Sequence, residues 1–235
     1  MKKAKSNGVL AIDTASPVVG VAYYDDIIQE SWQKRVVRGA DSELMPVIAN
    51  LLAKYEIESV IVTTGPGAFT GLRVGVSMAL GIAFSKKIPI IQISSLFARS
   101  LLLNHPEILV LLDARKGRVY GQVFDTLGEE PEAISEAMDV ELEHVLPKND
   151  FMAVGEGALV YRNQIEESGG MVLANADTSP VKRMAEFGFK NPQLRVEPKN
   201  IKMGYVRGPS VTPPKNLGVA IGKSQQIKSS TKKQE

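Results

Sequence analysis

The chain has 235 residues, 44% of them apolar and 23% charged, with a formal net charge of +2 and no cysteine. That length suffices for one large domain or two small lobes with a core that needs no staple. The missing thiols exclude disulfides, a thiolate zinc site and a cysteine nucleophile. Lys2, Lys3 and Lys5 put +3 at the front, while Lys215, Lys223, Lys228, Lys232 and Lys233 against Glu235 put +4 at the back. From a total of +2, the body between them therefore carries −5, the wrong sign for a sole binder of a phosphate backbone. Residues 1–7 read as a basic extension, and Val9–Ile12 is too short for a signal-peptide core. The longest apolar-rich run, Leu72–Phe84, is broken by Arg73 and Ser77 and falls short of a membrane span. The expected location is the cytoplasm, with no membrane partner.

In chain order, Val9–Ile12 reads as a buried strand, and Val18–Tyr24 and Ile27–Gln33 complete a meander around the turn-prone Asp25-Asp26. After Gly39, Leu44, Val47, Ile48, Leu51, Leu52 and Tyr55 recur at helical spacing. Asp41 and Ser42 are the expected caps of that helix, which places Pro46 in its first turn. Ser59–Thr64 is a β-branched strand, Leu72–Phe84 a second helix, Ile88–Ile93 a strand, Ser95–Leu103 a short helix and Ile108–Leu112 a strand. A meander running into α/β crossovers is the ribonuclease-H-like arrangement, with right-handed parallel connections in its later part. Further on, Ala114-Arg115-Lys116-Gly117 signals a hairpin, Ile134–Val145 a helix and Phe151–Val154 a strand. The expected division is a first lobe at 8–105, a smaller second lobe at 106–207 and a disordered basic tail at 208–235.

Three features carry candidate chemistry. Gly65, Gly67 and Gly71 lie in a turn between a strand and a helix, where free amides and the helix dipole can hold a phosphate. Their spacing, G-x-G-x-x-x-G, fits neither the dinucleotide fingerprint nor a P-loop, and such glycines equally serve tight turns and close packing. Asp13 and Thr14, at the end of the first strand, have the chemistry to hold a hydrated Mg²⁺ or simply to cap the turn. The helix Leu72–Phe84 is apolar around its whole circumference, so it is buried on more than one side. Its cover is either the neighbouring helix of this chain or a partner protein. The two histidines, His105 and His144, form no H-x-x-x-H, so no metal and no cofactor is expected.

Several ordered blocks together give the chain a family resemblance. Ala11-Ile12-Asp13-Thr14, Ser42-Glu43-Leu44-Met45-Pro46-Val47-Ile48 and Gly65-Pro66-Gly67-Ala68-Phe69-Thr70-Gly71-Leu72-Arg73-Val74-Gly75 resemble TsaB/YeaZ proteins, as do Leu112-Asp113-Ala114-Arg115 and Tyr205-Val206-Arg207. The resemblance covers residues 8–125 well and is thin from there to 207. It implies a two-lobe actin/Hsp70-like fold and a non-catalytic role beside a TsaD-type catalytic subunit and a TsaE-type ATPase. That assembly makes N6-threonylcarbamoyladenosine in tRNA. The resemblance also implies a helical-bundle interface, either with TsaD or with a second copy of the chain when the partner is absent. It would use Asp41, Leu44, Met45, Ile48 and Leu52 on the first helix and Val74, Gly75, Met78, Ala79 and Ile82 on the second. Asp13, Thr14, Gly65, Gly67 and Gly71 would be a vestigial nucleotide loop, and tRNA would be met through the complex. TsaD-type relatives carry a metal-binding H-x-x-x-H where this chain has Ser95 and Arg99, and an always-charged arginine repels a cation. Many family members have a histidine where Asp41 stands. The alternative reading is an independent ATP-binding kinase or hydrolase on the same fold, and a third is a homodimeric chaperone-like module.

Overall fold

The computed structural model describes residues 7–27 and 29–204; the basic ends, with Tyr205, Val206 and Arg207, lie outside the described residues. β1 (Asn7–Asp13), β2 (Val18–Tyr24) and β3 (Gln29–Arg35) form the expected antiparallel meander. β4 (Glu56–Thr63) and β5 (Ile90–Ile93) add parallel strands beyond β1, giving the order β3-β2-β1-β4-β5. α1 (Ala40–Lys54) and α2 (Phe69–Lys86) fill the crossovers, and α3 (Ser95–Ser100) leads out of the sheet. A second sheet then repeats the path. β6 (Ile108–Arg115) and β7 (Arg118–Asp125) form a hairpin whose tip, Lys116-Gly117, has positive φ at both residues. β8 (Glu132–Ala133) and β9 (Met138–Val140) both pair antiparallel with β7, while β10 (Met152–Val154) and β11 (Met171–Val172) run parallel on the other side of β6. Two ribonuclease-H-like sheets in tandem, the second with shorter outer strands, are the actin/Hsp70-like fold.

Three details differ from the sequence reading. Gly39, left-handed at φ 74°, precedes α1 without any side-chain cap, so Asp41 and Ser42 are not caps. Asp41 instead lies in the first turn with Glu43, where a negative charge still favours the helix's positive end. Because the helix starts this early, Pro46 sits inside it rather than in its first turn, and cannot donate to the Ser42 carbonyl, which is on the exposed side. Finally, the helix expected at 134–145 is replaced by β9 and a short 3₁₀ turn at Leu142–His144. Its helix-like spacing of apolar residues loses to pairing with β7, where Val140 faces Val119 and Met138 faces Gly121.

Alternation along the strands feeds two cores per sheet. Leu10 and Ile12 of β1 face Leu44, Ile48, Val76 and Ala79 of α1 and α2. Val9 and Ala11 face the other way, toward α6 (Val181–Lys190), with Val181, Met184, Ala185 and Phe187. The chain therefore returns from the second lobe to complete the first, and Val196 pairs with Ile90 on the β5 edge. α3 lies between the lobes: Leu96 enters the core under β6 and β10, while Ala98 enters the core under β1 and α6. α4 (Glu156–Val160) and α5 (Arg162–Glu167) cover the outer face of the second sheet through Ala158 and Ile165.

Candidate functional site

Asp13 ends β1 at the junction between the lobes, fully buried. Burying a carboxylate there is tolerable only because donors surround it. Its Oδ1 accepts from Thr63 Oγ1 at 2.8 Å and from the Ala15 amide at 3.2 Å. Its Oδ2 accepts from Arg99 Nη2 and from Ser179 Oγ, both at 3.1 Å. Thr63 is supplied by the neighbouring parallel strand β4, Arg99 by α3 and Ser179 by the segment entering α6. The Arg99 guanidinium is also fully buried, and its Nη1 donates to the Ser95 carbonyl one helical turn back at 3.0 Å. From the second lobe Glu156, the first residue of α4, brings another buried carboxyl group. Burial pushes that carboxyl up to about 7, against the lowering influence of Arg99 and with a further rise from Asp13.

The glycine loop docks on the same turn. A Cβ at Gly67 would collide with the Ala15 carbonyl, one at Gly71 with the Thr14 carbonyl, and one at Gly75 with Thr14 Oγ1. Gly65, at φ 124°, is pressed against the Gly204 carbonyl. The Ala68 amide donates to the Ala15 carbonyl at 2.8 Å, and Thr14 Oγ1 to the Gly71 carbonyl at 2.7 Å. Close approach of residues 14–15 thus accounts for Gly67, Gly71 and Gly75, and close approach of Gly204 for Gly65. Asp13, Thr14, Gly65, Gly67 and Gly71 do come together, as a packed joint.

The ten residues of the expected helical interface divide by orientation. Leu44, Ile48, Gly75 and Ala79 point inward: the three side chains enter the core against β1 and β4, and Gly75 lies against Thr14. All four are therefore core and packing positions rather than the interface positions expected. Leu52, Val74, Met78 and Ile82 are half-buried at the rim, and Asp41 and Met45 are exposed, Met45 at 55%. The outward surface of the pair continues through Ala49 on α1 and through Ser77, Gly81, Phe84 and Ser85 on α2. Phe84 is 60% exposed, and a Cβ at Gly81 would meet nothing among the described residues within 4 Å.

The family model described as TsaD: tRNA N6-adenosine threonylcarbamoyltransferase matches residues 35–188. The tRNA threonylcarbamoyladenosine biosynthesis protein TsaB of Escherichia coli is 27% identical over 184 residues, 72% of this chain and 79% of that protein. The protein of the same description from Bacillus subtilis is 32% identical over 120 residues, 48% of this chain and 52% of its own length. The chain belongs to the TsaB/YeaZ family. It spans about half the length of the Bacillus subtilis relative. YeaZ from Pseudomonas aeruginosa shares the fold, with a TM-score of 0.71 at 20% identity over 83% of this chain and 97% of that one.

Within this TsaB/YeaZ chain, reading the sequence missed the arginine clamp. Ser95 and Arg99 were singled out only as residues standing in place of metal ligands; the structure turns Arg99 onto Asp13, 86 positions earlier. Ser179 and Thr63 gave no signal of their own. Gly155 and Gly157, on either side of Glu156, both lie against Leu111 in β6.

Proposed function

We propose that the chain is a non-catalytic partner of a TsaD-type threonylcarbamoyltransferase in forming N6-threonylcarbamoyladenosine in tRNA, docking through the outward face of α1 and α2. The observation that carries this reading is the surface chemistry of that face. A glycine inside a helix costs about 1 kcal/mol relative to alanine, and at Gly81 no neighbour among the described residues needs the space. Beside it, Met45 and Phe84 are exposed and Met78 and Ile82 half-covered, while Ser77 and Ser85 keep the ridge low. A low ridge with large apolar side chains at its margins suits close approach of another helix. The catalytic subunit, rather than an unrelated protein, is the occupant named because the relatives carry threonylcarbamoyladenosine biosynthesis in their descriptions.

A TsaE-type ATPase and tRNA would join through the complex, and a second copy would take the same face when the partner is missing. The independent ATP-dependent alternative would need Asp13 turned toward a cation. Instead Asp13 is already held by four donors, one of them a guanidinium.

The test is Met78→Glu in a binding titration with the cognate TsaD-type subunit and a tRNA-modification assay. A buried-interface carboxylate there should abolish both binding and stimulation while leaving the fold intact. Unchanged stimulation by the variant, or ATP hydrolysis by the wild-type chain alone, would overturn the reading.

A further inference from the structure

Glu156 is a buried acid that the docking face does not use. It lies at the seam between the lobes, and among the described residues its Oε2 has no hydrogen-bond partner; Ser95 Oγ, one turn before Arg99 on α3, is likewise buried without one there. The charged groups that bear on Glu156 can be named element by element. α3 brings Arg99 and β1 brings Asp13. β6 brings the amide of Asp113, whose own carboxylate is paired with Arg115. β10 supplies only Met152, Ala153 and Val154. α5 carries Arg162 and Glu166 paired with each other at the surface. Asp13 and Arg99 cancel, so the seam is neutral when Glu156 holds a proton. When Glu156 is ionised, two carboxylates share one guanidinium away from water, which is costly.

We propose that the seam is a proton-linked latch: Glu156 holds a proton while the lobes are closed around Arg99 and gives it to solvent when they part. In the closed state the carboxyl is raised to about 7 by burial, whereas once hydrated it returns to the ordinary carboxylate range. Raising the pH therefore favours the parted state. The sensing range falls near neutrality, where an ordinary glutamate is already fully ionised.

The test is amide hydrogen exchange on the full chain across pH 6 to 8, corrected for intrinsic exchange, reading α3 and α4. From the two protonation limits, the opening constant should rise about tenfold over that range in the wild type. Glu156→Gln keeps the shape of the protonated acid and cannot ionise on opening, so from the same limits it should be roughly thirtyfold better protected than the wild type at pH 6 and show no rise to pH 8. A flat wild-type profile, the same rise in the glutamine variant, or loss of its protection already at pH 6 would each overturn the latch.

Discussion

Two glycines on one helix should respond oppositely to the same added methyl group. At Gly81 the new Cβ of Gly81→Ala meets open space, so the change recovers helix propensity of about 1 kcal/mol. For a chain of this size that raises Tm by roughly 2–4 °C. At Gly75 the methyl of Gly75→Ala drives into Thr14 Oγ1, whose hydroxyl is tied to the Gly71 carbonyl. Overpacking of that kind costs about 1–3 kcal/mol, cancelling or exceeding the propensity gain, so Tm should stay level or fall. Binding should separate the pair the other way. If a partner helix crosses α2 at Gly81, the methyl opens the contact and costs about 1–3 kcal/mol there, or roughly 5- to 150-fold in Kd. Thermal scanning gives the first half and titration calorimetry with the TsaD-type subunit the second. A Gly81→Ala chain that is more stable and still binds with unchanged affinity would refute the argument that the open glycine serves a partner.

Arg99→Met should cost about 3–5 kcal/mol in urea unfolding, because it leaves the Asp13 carboxylate buried without its counter-charge. Adding Asp13→Asn to that variant should recover part of the loss, and strict additivity of the two changes would show that the pair is not coupled. Global stability should also carry the mark of Glu156. A carboxyl whose folded value lies above its unfolded one binds more protons folded, so it stabilises at low pH and that contribution is lost as pH climbs from about 4.5 to about 7. The loss is up to about 3 kcal/mol, measured as the difference between wild type and Glu156→Gln in denaturant midpoints across that range.

Much of the fold was legible because the strands and helices of the first lobe carry their periods openly. Val9–Ile12 is apolar on both faces and Leu44 to Tyr55 repeats at helical spacing, and both elements stand where expected. Ile134, Met138, Leu142 and Val145 mimic a helix by their spacing alone; only the presence of β7 alongside decides for a strand. The helix α2 shows the same limit at a finer scale. Gly75 and Ala79 were expected at a helical interface, yet with Ala83 they form the inward stripe. The outward stripe is Ser77, Gly81 and Ser85, set off from it by two positions. Periodicity in an all-apolar helix reports that stripes exist without saying which one meets the sheet. The junction was least legible, since Asp13, Arg99, Glu156 and Ser179 are brought together only by tertiary closure.

The return of α6 onto the first sheet has a consequence for how the chain is made. The face formed by Val9, Ala11, Ala22, Ile61 and Ile91 is covered by residues 181–187, which leave the ribosome about ninety positions after β5. At roughly 5–20 residues per second, that apolar face waits on the order of 5–20 s for its cover. During that interval the nascent chain presents a half-clad sheet, which makes it a natural client for a ribosome-associated chaperone. A ribosome stalled before residue 181 would leave a product unable to complete even its N-terminal lobe.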